Sequence, residues 1–515
     1  MKRAFEIALL ALALAEAVPV GAVASGPVLP PEEALREAVV AITQLDGDRL
    51  AEDGDYAREV LLHLDRIEAA SGDRTEVIPY LEGTRLTALA TLQHRDEIGR
   101  IVDAMTARRS SRPEDYADAF YATLATADFA RFVVLLETAS RQVPGVARGE
   151  LNALLPRQTG RGVLRQLKQD GRNDLRVRLA TALHRTGWPG GGDRHTADMI
   201  SSILVEDGLQ RGDAAAASGY AQTMSSTAFL LPMIVQRRYD PVLAPGEDRL
   251  ALLARLLEQE DAETLGGYEA APDEPKWVLR RAQFLRSVGR DEEALTLIQP
   301  FLEDVAGTAR SGEDGPWLIN EAAYALIALG RSQEGRALME ALITLPLSEE
   351  PSLISQNINY LEILEETGDP EGALAHAATL EPEAAVYASE YGRMWVSSTV
   401  ICALAQLGRR EEAGGRLEVM RAGRDVNPSA LVLAYLCSGD VDAAAAEMVR
   451  RLDSDAPSSA ILALQDYELS RGPFRGSFPI QHLNALRQRP EVRAALERVG
   501  RQLTLPLART SWGNY

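Results

Sequence analysis

A segment that ends one helix and starts the next recurs five times in the carboxyl-terminal half of this 515-residue chain. The copies read FLRSVGRDEEAL, LIALGRSQEGRAL, ILEETGDPEGAL, LAQLGRREEAG and YLCSGDVDAAAA. Each contains one turn glycine, and the five are Gly289, Gly330, Gly368, Gly408 and Gly439. Successive glycines lie 41, 38, 40 and 31 residues apart. Periods of this size indicate an array of stacked helical units rather than one globular core.

Each position of the repeat has a steric reason. The glycine ends a helix in the left-handed backbone conformation, which glycine adopts at little cost. Five residues later the side chain is always small, as at Ala294 and Gly335, so that two antiparallel helices can approach closely. Four residues before the glycine a large side chain, such as Leu285 or Tyr435, fills the seam between the helices. The acidic residues at 291–293 favour the positive end of the next helix dipole, and we expect no catalytic role for them.

These features resemble the tetratricopeptide (TPR) family in the turn glycine, the small residue five positions later and the length of the helix pair. The resemblance covers residues 275–453, and three of the four spacings exceed the family's period of about 34 residues. It implies an all-α fold, an α-solenoid (superhelix) of stacked antiparallel helix pairs, in which the first helix of each pair lines a concave groove. Composition independently favours helices, since aromatic residues are 5% and alternating strand patterns are almost absent.

The amino-terminal half repeats less clearly. We expect turns at Gly72, at His94 and Asp96 in place of glycine, and at Gly212, which Ala217 follows five residues later. Proline and glycine at residues 241–247 indicate a boundary. The predicted organisation is therefore a signal peptide at 1–24, helical repeats at 25–245, TPR-like repeats at 246–479 and a helical cap with an irregular tail at 480–515.

The first 24 residues are typical of a secretory signal peptide. Lys2 and Arg3 precede an apolar stretch at residues 7–15, and small residues at 22–24 form a cleavage site. The alternative is an uncleaved anchor, for which the stretch is short of the roughly 20 residues that span a bilayer. We expect export across the inner membrane to the periplasm, with no membrane insertion after cleavage. The formal charge of -21 argues against nucleic-acid partners.

The sequence contains no pattern typical of a catalytic, cofactor or metal site. No two of the six histidines have the i, i+4 spacing of a helical metal site, and no HExxH or GxSxG motif occurs. The glycine-rich segment GWPGGGDRH at residues 187–195 lacks the lysine of a phosphate-binding loop. We expect it to be a connection between repeats, and we predict no catalytic residue, no cofactor and no metal.

Cys402 and Cys437 are the two cysteines of the chain. One lies six residues before its turn glycine and the other two residues before, so stacked first helices place them roughly 5–6 Å apart along the axis. Added to a spacing of about 8–10 Å between packed helices, this exceeds the reach of a disulfide. We therefore expect two buried cysteines without a bond.

Helical geometry selects the stripe of each first helix that faces the implied groove. The predicted binding residues are Lys276, Gln283, Arg286, Trp317, Asn320, Tyr324, Glu362, Trp395 and Ser398. Trp317 and Trp395 share one repeat position, and tryptophan is common at binding hot spots; alternatively, the two pack between units. The asparagine with which some TPR proteins clamp a peptide carboxylate is missing from its position, six residues before the glycine.

These observations predict an exported, non-enzymatic binding or scaffold protein that presents its groove to a protein or peptide partner of the cell envelope. Two alternatives remain open. One is a cell-wall (peptidoglycan) enzyme in which the helices only support the active site, and the other is a structural scaffold that self-associates. The oligomeric state is not predicted.

Overall fold

The computed structural model describes residues 31–71, 78–108, 113–142, 155–188, 194–243 and 248–509. The fold is all-α and consists of packed helix pairs, as predicted. It divides into two compact units, residues 1–224 (unit 1) and 225–515 (unit 2). No helix within the described ranges is long and apolar enough to cross a membrane. The predicted signal peptide, the turn at Gly72 and residues 189–193 of the glycine-rich connection lie outside the described residues.

Unit 1 is a succession of helices, most of which pack on the next helix in sequence. These helices are α1 (Pro31–Thr43), α2 (Gly47–Glu52), α3 (Gly54–Ser71), α4 (Ile78–Thr91), α5 (Arg95–Arg108), α6 (Pro113–Ala125), α7 (Phe129–Gln142), α8 (Arg157–Gln169), α9 (Asn173–Arg185), α10 (Arg194–Gln210) and α11 (Ala214–Ala221). Alternate helices also meet, α4 with α6 and α5 with α7. This is the packing of stacked hairpins, and one hydrophobic core of the unit includes Phe120, Phe132 and Trp188.

Two turns of unit 1 use a left-handed residue that is not glycine. Gln93 has φ 58° and Ala127 has φ 54°. The expectation that His94 and Asp96 replace the turn glycine is therefore wrong, because Gln93 takes the left-handed conformation. Its side-chain amide donates to the carbonyl oxygen of Ala90 at 3.0 Å, which offsets part of the cost. Gly212, at φ 74°, behaves as predicted.

Unit 2 contains the five predicted repeats between further helices. The helices are α12 (Thr227–Val235), α13 (Arg249–Ala270), α14 (Pro275–Ser287), α15 (Asp291–Ile298), α16 (Val305–Ala309), α17 (Gly315–Ala328), α18 (Ser332–Ile343), α19 (Ile354–Glu366), α20 (Pro370–Tyr387), α21 (Glu390–Gln406), α22 (Arg410–Ala422), α23 (Pro428–Ser438), α24 (Val441–Leu452), α25 (Ser458–Ala463), α26 (Pro473–Gly476), α27 (Phe478–Arg487) and α28 (Pro490–Val499). Short 3₁₀ turns lie at Arg237–Tyr239, Gln299–Leu302 and Pro351–Leu353.

The steric rules of the repeat are confirmed. All five turn glycines have φ between 72° and 81°. The small residue five positions later is buried in every copy, and a Cβ added at Gly335 would lie 2.8 Å from the carbonyl oxygen of Ala323. The first helices α14, α17, α19, α21 and α23 pack on one another in that order. The five hairpins therefore form one stacked array.

Local polar contacts start the helices of these hairpins. Asp369, Asn427 and Asp440 accept hydrogen bonds from backbone N–H groups three residues later, which stabilises the first turns of α20, α23 and α24. The acidic residues after the glycines lie in first turns as predicted. Three of the arginines that follow a turn glycine form exposed ion pairs three residues on, at Arg290–Glu293, Arg331–Glu334 and Arg409–Glu412.

The prediction for the cysteines is wrong, because Cys402 and Cys437 form a disulfide that links α21 to α23. Their Cα atoms lie 4.9 Å apart. A helix axis runs about 2.3 Å from its own Cα atoms. Two Cα atoms on facing sides therefore approach several ångströms closer than the axes, and the packing register of α21 on α23 absorbs the axial offset. The estimate from axis spacing overlooked both effects.

The end of the chain returns to the repeats. The helices α27 and α28 pack on α23 and α24, as a cap would. The segments beside them form a short parallel ladder between β1 (Asp466–Tyr467), in the region predicted as TPR-like repeats, and β2 (Thr504–Leu505), in the predicted irregular tail. Ala508 N–H donates to the carbonyl oxygen of Ser287 at 2.7 Å, at the end of α14. We call residues 466–509 the returning segment.

The first residues of unit 2 also contact its carboxyl-terminal residues. Arg501 forms an ion pair with Asp240 at 2.7 Å, and Gln236 donates to the hydroxyl oxygen of Ser458 at 2.9 Å. Residues 225–243 therefore belong with the carboxyl-terminal helices. For this reason the division between units falls after Met224, whereas the sequence placed it within residues 241–247.

Candidate functional site

A cavity of about 330 Å³ lies between the first helices of four successive repeats, α14, α17, α19 and α21. Six of the nine predicted binding residues line it, namely Gln283, Trp317, Asn320, Tyr324, Glu362 and Trp395. They come from different repeats and meet because the repeat period brings equivalent helix faces to one side of the stack. We call this the repeat cavity.

The other three predicted residues do not line the repeat cavity. Arg286 is buried in ion pairs with Glu321 and, at 3.7 Å, Asp291. It lies one residue before Ser287, whose carbonyl the returning segment contacts. Ser398 is buried and donates to the carbonyl oxygen of Trp395 at 3.0 Å. The Nζ of Lys276 lies 5.3 Å from the ring centroid of Trp277.

Aromatic side chains form the open part of the repeat cavity. Trp317 is 37% exposed and Tyr391 is 47% exposed, which is unusual for rings of this size in a packed array. Trp395 is half-buried, and its ring meets that of Tyr391 edge-on with centroids 6.3 Å apart. All three lie in the amino-terminal halves of α17 and α21, away from the returning segment.

Glu321 lines the repeat cavity, and its carboxylate is already paired with an arginine of the protein. It forms a buried ion pair with Arg286 and accepts a hydrogen bond from the side-chain amide of Gln283 at 3.3 Å. The Arg286 guanidinium also lies 5.1 Å from the ring centroid of Tyr324, which fixes its plane. The charge of Glu321 is thus already balanced within the protein.

Glu362 differs from Glu321. Among the described residues no side chain or backbone group forms a hydrogen bond or an ion pair with its carboxyl. Burial raises its pKa to about 7. One turn further along α19, burial and then the nearby Glu362 raise the pKa of Glu365 to about 8, and a hydrogen bond from the Gln406 amide opposes this rise. Burial, followed by Glu362, raises the pKa of Tyr324 above its usual range.

The remaining polar groups of the repeat cavity are uncharged. Asn359 donates its side-chain N–H to the side-chain oxygen of Asn320 at 2.9 Å. No lysine, arginine or histidine is found among the lining residues that the structure describes. The surface therefore offers aromatic rings, amides and carboxyl groups. No group of three or more His, Cys, Asp or Glu side chains in the described ranges is arranged to hold a metal ion.

Sequence reasoning missed several lining residues. Glu321 and Asn359 both lie nine residues before their turn glycines, directly beside the predicted stripe. Adding this one repeat position would have found both. Tyr391 lies in the first turn of α21, which begins earlier relative to its glycine than the other first helices. No signal in the repeat points to it.

No protein-family model matches the chain, and no curated protein matches it. The resemblance of the repeats to the TPR family therefore stays an expectation, and the site is interpreted from its own chemistry.

Proposed function

We propose that the protein is an exported, TPR-like, non-enzymatic binding protein whose repeat cavity receives a segment of a protein or peptide partner of the cell envelope. The observation that carries the proposal is the convergence of six predicted residues from four repeats on one cavity. No bond is made or broken in this function. The array acts by holding a preformed surface in place.

The character of the repeat cavity supports binding. Exposed tryptophan and tyrosine rings beside buried polar groups are typical of interaction hot spots. A volume of about 330 Å³ lies at the lower end of the range of ligand pockets. This volume suits one large side chain with its flanking backbone. The partner would therefore insert a short segment.

Two features support export. The first is the predicted signal peptide at residues 1–24. The second is the buried disulfide between Cys402 and Cys437, since disulfides form and persist in oxidising compartments such as the periplasm. Both features accord with a partner in the cell envelope.

Site-specific photocrosslinking tests the proposal. A benzoylphenylalanine at Tyr391 keeps an aromatic ring at the mouth of the repeat cavity, and the matched control is Val419 on α22, which is 77% exposed. We expect a discrete crosslinked product in native envelopes from position 391 and none from position 419. A product at twice the mass of the chain would show self-association instead. Equal crosslinking at both positions would reject the repeat cavity as the site.

One observation favours an enzyme as the second candidate. A carboxyl with its pKa raised to about 7 beside aromatic rings resembles a general acid for polysaccharide cleavage. The nearby carboxylate of Glu321 is held by Arg286, so the reaction would lack a second free carboxylate on that side. Release of soluble fragments from purified peptidoglycan by the wild type, but not by Glu362→Gln, would establish the enzyme and refute the binding proposal.

A further inference from the structure

We infer that the repeat cavity selects a cationic group, a lysine or arginine side chain or a free amino terminus of the partner, and that Glu362 is its counter-ion. This inference rests on the proposed binding function and names the chemistry of the ligand. Its basis is a carboxyl that lines a cavity without a partner, surrounded by aromatic rings and amides.

The first argument is the absence of an internal partner. A buried carboxylate is normally paired or hydrogen-bonded, because removing its hydration without compensation is costly. In the same cavity the buried Glu321 follows this rule through Arg286 and Gln283. Glu362 is only partly buried, faces the cavity and has no such partner among the described residues. A ligand that supplies a positive charge would complete the pairing at Glu362.

The second argument is the aromatic wall. The faces of tryptophan and tyrosine rings attract cations through the ring quadrupole, and they also pack against the methylene groups of lysine and arginine. Trp317, Tyr391 and Trp395 line the same cavity as Glu362. A neutral apolar ligand would use these rings but would leave the carboxyl uncompensated.

The charges around Glu362 determine how binding depends on pH. The titratable groups that lie near it are Glu321 and Tyr324 from α17, Tyr391 from α21, Arg286 from α14, and Glu365 and Glu366 on its own helix. Those of α18 and α20 contact other parts of α19: Glu340 accepts from the Tyr360 hydroxyl, and His376 meets the carbonyl oxygen of Asn357. Arg286 already forms an ion pair with Glu321. Acidic groups therefore dominate around Glu362, and an entering cation favours its ionised form.

The inference predicts that a cation and a proton compete for Glu362. Because the pKa of Glu362 lies at about 7, the carboxyl is mostly protonated at pH 6 and mostly ionised at pH 8. The affinity for a lysine side chain, which stays charged throughout, should rise about tenfold between pH 6 and pH 8. Binding at pH 7 should release a proton from the protein.

The test uses the full chain and five pentapeptides of the form Gly-Gly-Xaa-Gly-Gly. In four of them both ends are blocked and Xaa is lysine, arginine, norleucine or glutamate; the fifth is pentaglycine amide with a free amino terminus. Isothermal titration calorimetry in two buffers of different ionisation enthalpy gives affinity and protons released. Tryptophan fluorescence is a second readout, because Trp317 and Trp395 line the site. We expect binding by at least one cationic peptide and none by norleucine or glutamate.

Two variants carry the same change of charge. Glu362→Gln should weaken binding of the cationic peptide at least tenfold at pH 8 and abolish its pH dependence. Glu371→Gln, at an exposed glutamate in the first turn of α20, should change neither. Circular dichroism of both variants shows whether the fold is kept, and the pH dependence of the wild type tests the inference without any substitution.

The outcomes separate this inference from the proposed function. Equal binding of the lysine and norleucine peptides, or no binding of any peptide at about 5 mM, overturns the cation inference. Tighter binding of a neutral oligosaccharide such as chitotriose than of any cationic peptide also overturns it. If position 391 still crosslinks a partner while any of these results holds, the binding function stands and only the assignment of the ligand's charge fails.

Discussion

The protonation of Glu365 offers a direct test of the electrostatics of α19. This side chain is only 3% exposed, and it accepts a hydrogen bond from the side-chain amide of Gln406. The substitution Glu365→Gln keeps the shape and an oxygen that accepts from Gln406, while it removes the ionisable group. The neighbouring Glu362 remains, so the change isolates one buried carboxyl.

The direction in which the stability changes with pH follows from the coupling between folding and proton binding. Burial raises the folded-state pKa of Glu365 from 4.5 to about 8, so folding takes up a proton between these values. The contribution of Glu365 to stability therefore falls as the pH rises through this window, and below pH 4.5 it is fully present. The interval from 4.5 to about 8 sets a ceiling of about 5 kcal/mol, since each pH unit corresponds to about 1.4 kcal/mol. Structural relaxation and water entry reduce this, and we expect Glu365→Gln to gain roughly 2–5 kcal/mol at pH 9.

Urea unfolding of the full chain, followed by tryptophan fluorescence, measures the difference between variant and wild type at pH 4.5 and pH 9. The signal reports mainly on unit 2, which contains Trp277, Trp317 and Trp395. We expect little difference at pH 4.5 and a stabilised variant at pH 9. The exposed control Glu371→Gln should show no such trend. A Glu365→Gln variant that is no more stable than the wild type at pH 9 would refute the reasoning.

Four further predictions concern the repeats and the returning segment. Replacing both Cys402 and Cys437 by alanine should lower the free energy of unfolding by about 4 kcal/mol, the chain-entropy value for a separation of 35 residues, and dithiothreitol should reproduce the loss in the wild type; an unchanged urea midpoint would contradict the bond. Gly330→Ala should cost about 1–2 kcal/mol because of its positive φ. Gly415→Ala, where an added Cβ on α22 meets no other atom, should raise the free energy of unfolding by up to about 1 kcal/mol. Melting temperatures that change in the same direction for Gly330→Ala and Gly415→Ala would contradict this reasoning. Phe474→Ala should speed amide hydrogen exchange in residues 500–509 while the circular dichroism of the protein stays unchanged. Exchange at the same rate in the variant and the wild type would show that this ring does not hold the returning segment in place.

The repeats of unit 2 were predictable because their rules are local. A glycine such as Gly368 and the small Ala373 that follows lie within one hairpin, and both constraints come from contacts that the hairpin makes with itself. The face of the first helix follows from the same alignment. This is why six predicted residues meet at the repeat cavity without any knowledge of the rest of the chain.

The turns of unit 1 were less predictable for the same physical reason. Gln93 and Ala127 adopt the left-handed conformation that glycine normally marks, so the sequence carries no sign of the turn. Surrounding packing imposes a conformation that costs about 1–2 kcal/mol at such residues. A pattern search based on glycine therefore misses these two turns, although left-handed glycines mark others, such as Gly212.

Long-range contacts account for the errors in unit 2. The burial of Arg286 accompanies contacts between the end of α14 and Ala508, more than 200 residues away in sequence. The disulfide depends on how α21 crosses α23, which the alignment of glycines does not fix. Neither effect leaves a local pattern, since both arise only when distant segments have folded together.

The returning segment decides how much of the repeat surface a ligand can reach. It meets the carboxyl-terminal ends of α14 and α17, through Ala508 on Ser287 and through Phe474, whose ring lies 5.7 Å from that of Tyr324. The open surface that remains is at the amino-terminal halves of the first helices, around Trp317. An amphipathic helix requires a long continuous groove, whereas a loop or a chain end requires only a cavity of this size. A partner that presents one positively charged side chain on such a loop therefore matches both the size of the repeat cavity and the unpaired carboxyl of Glu362.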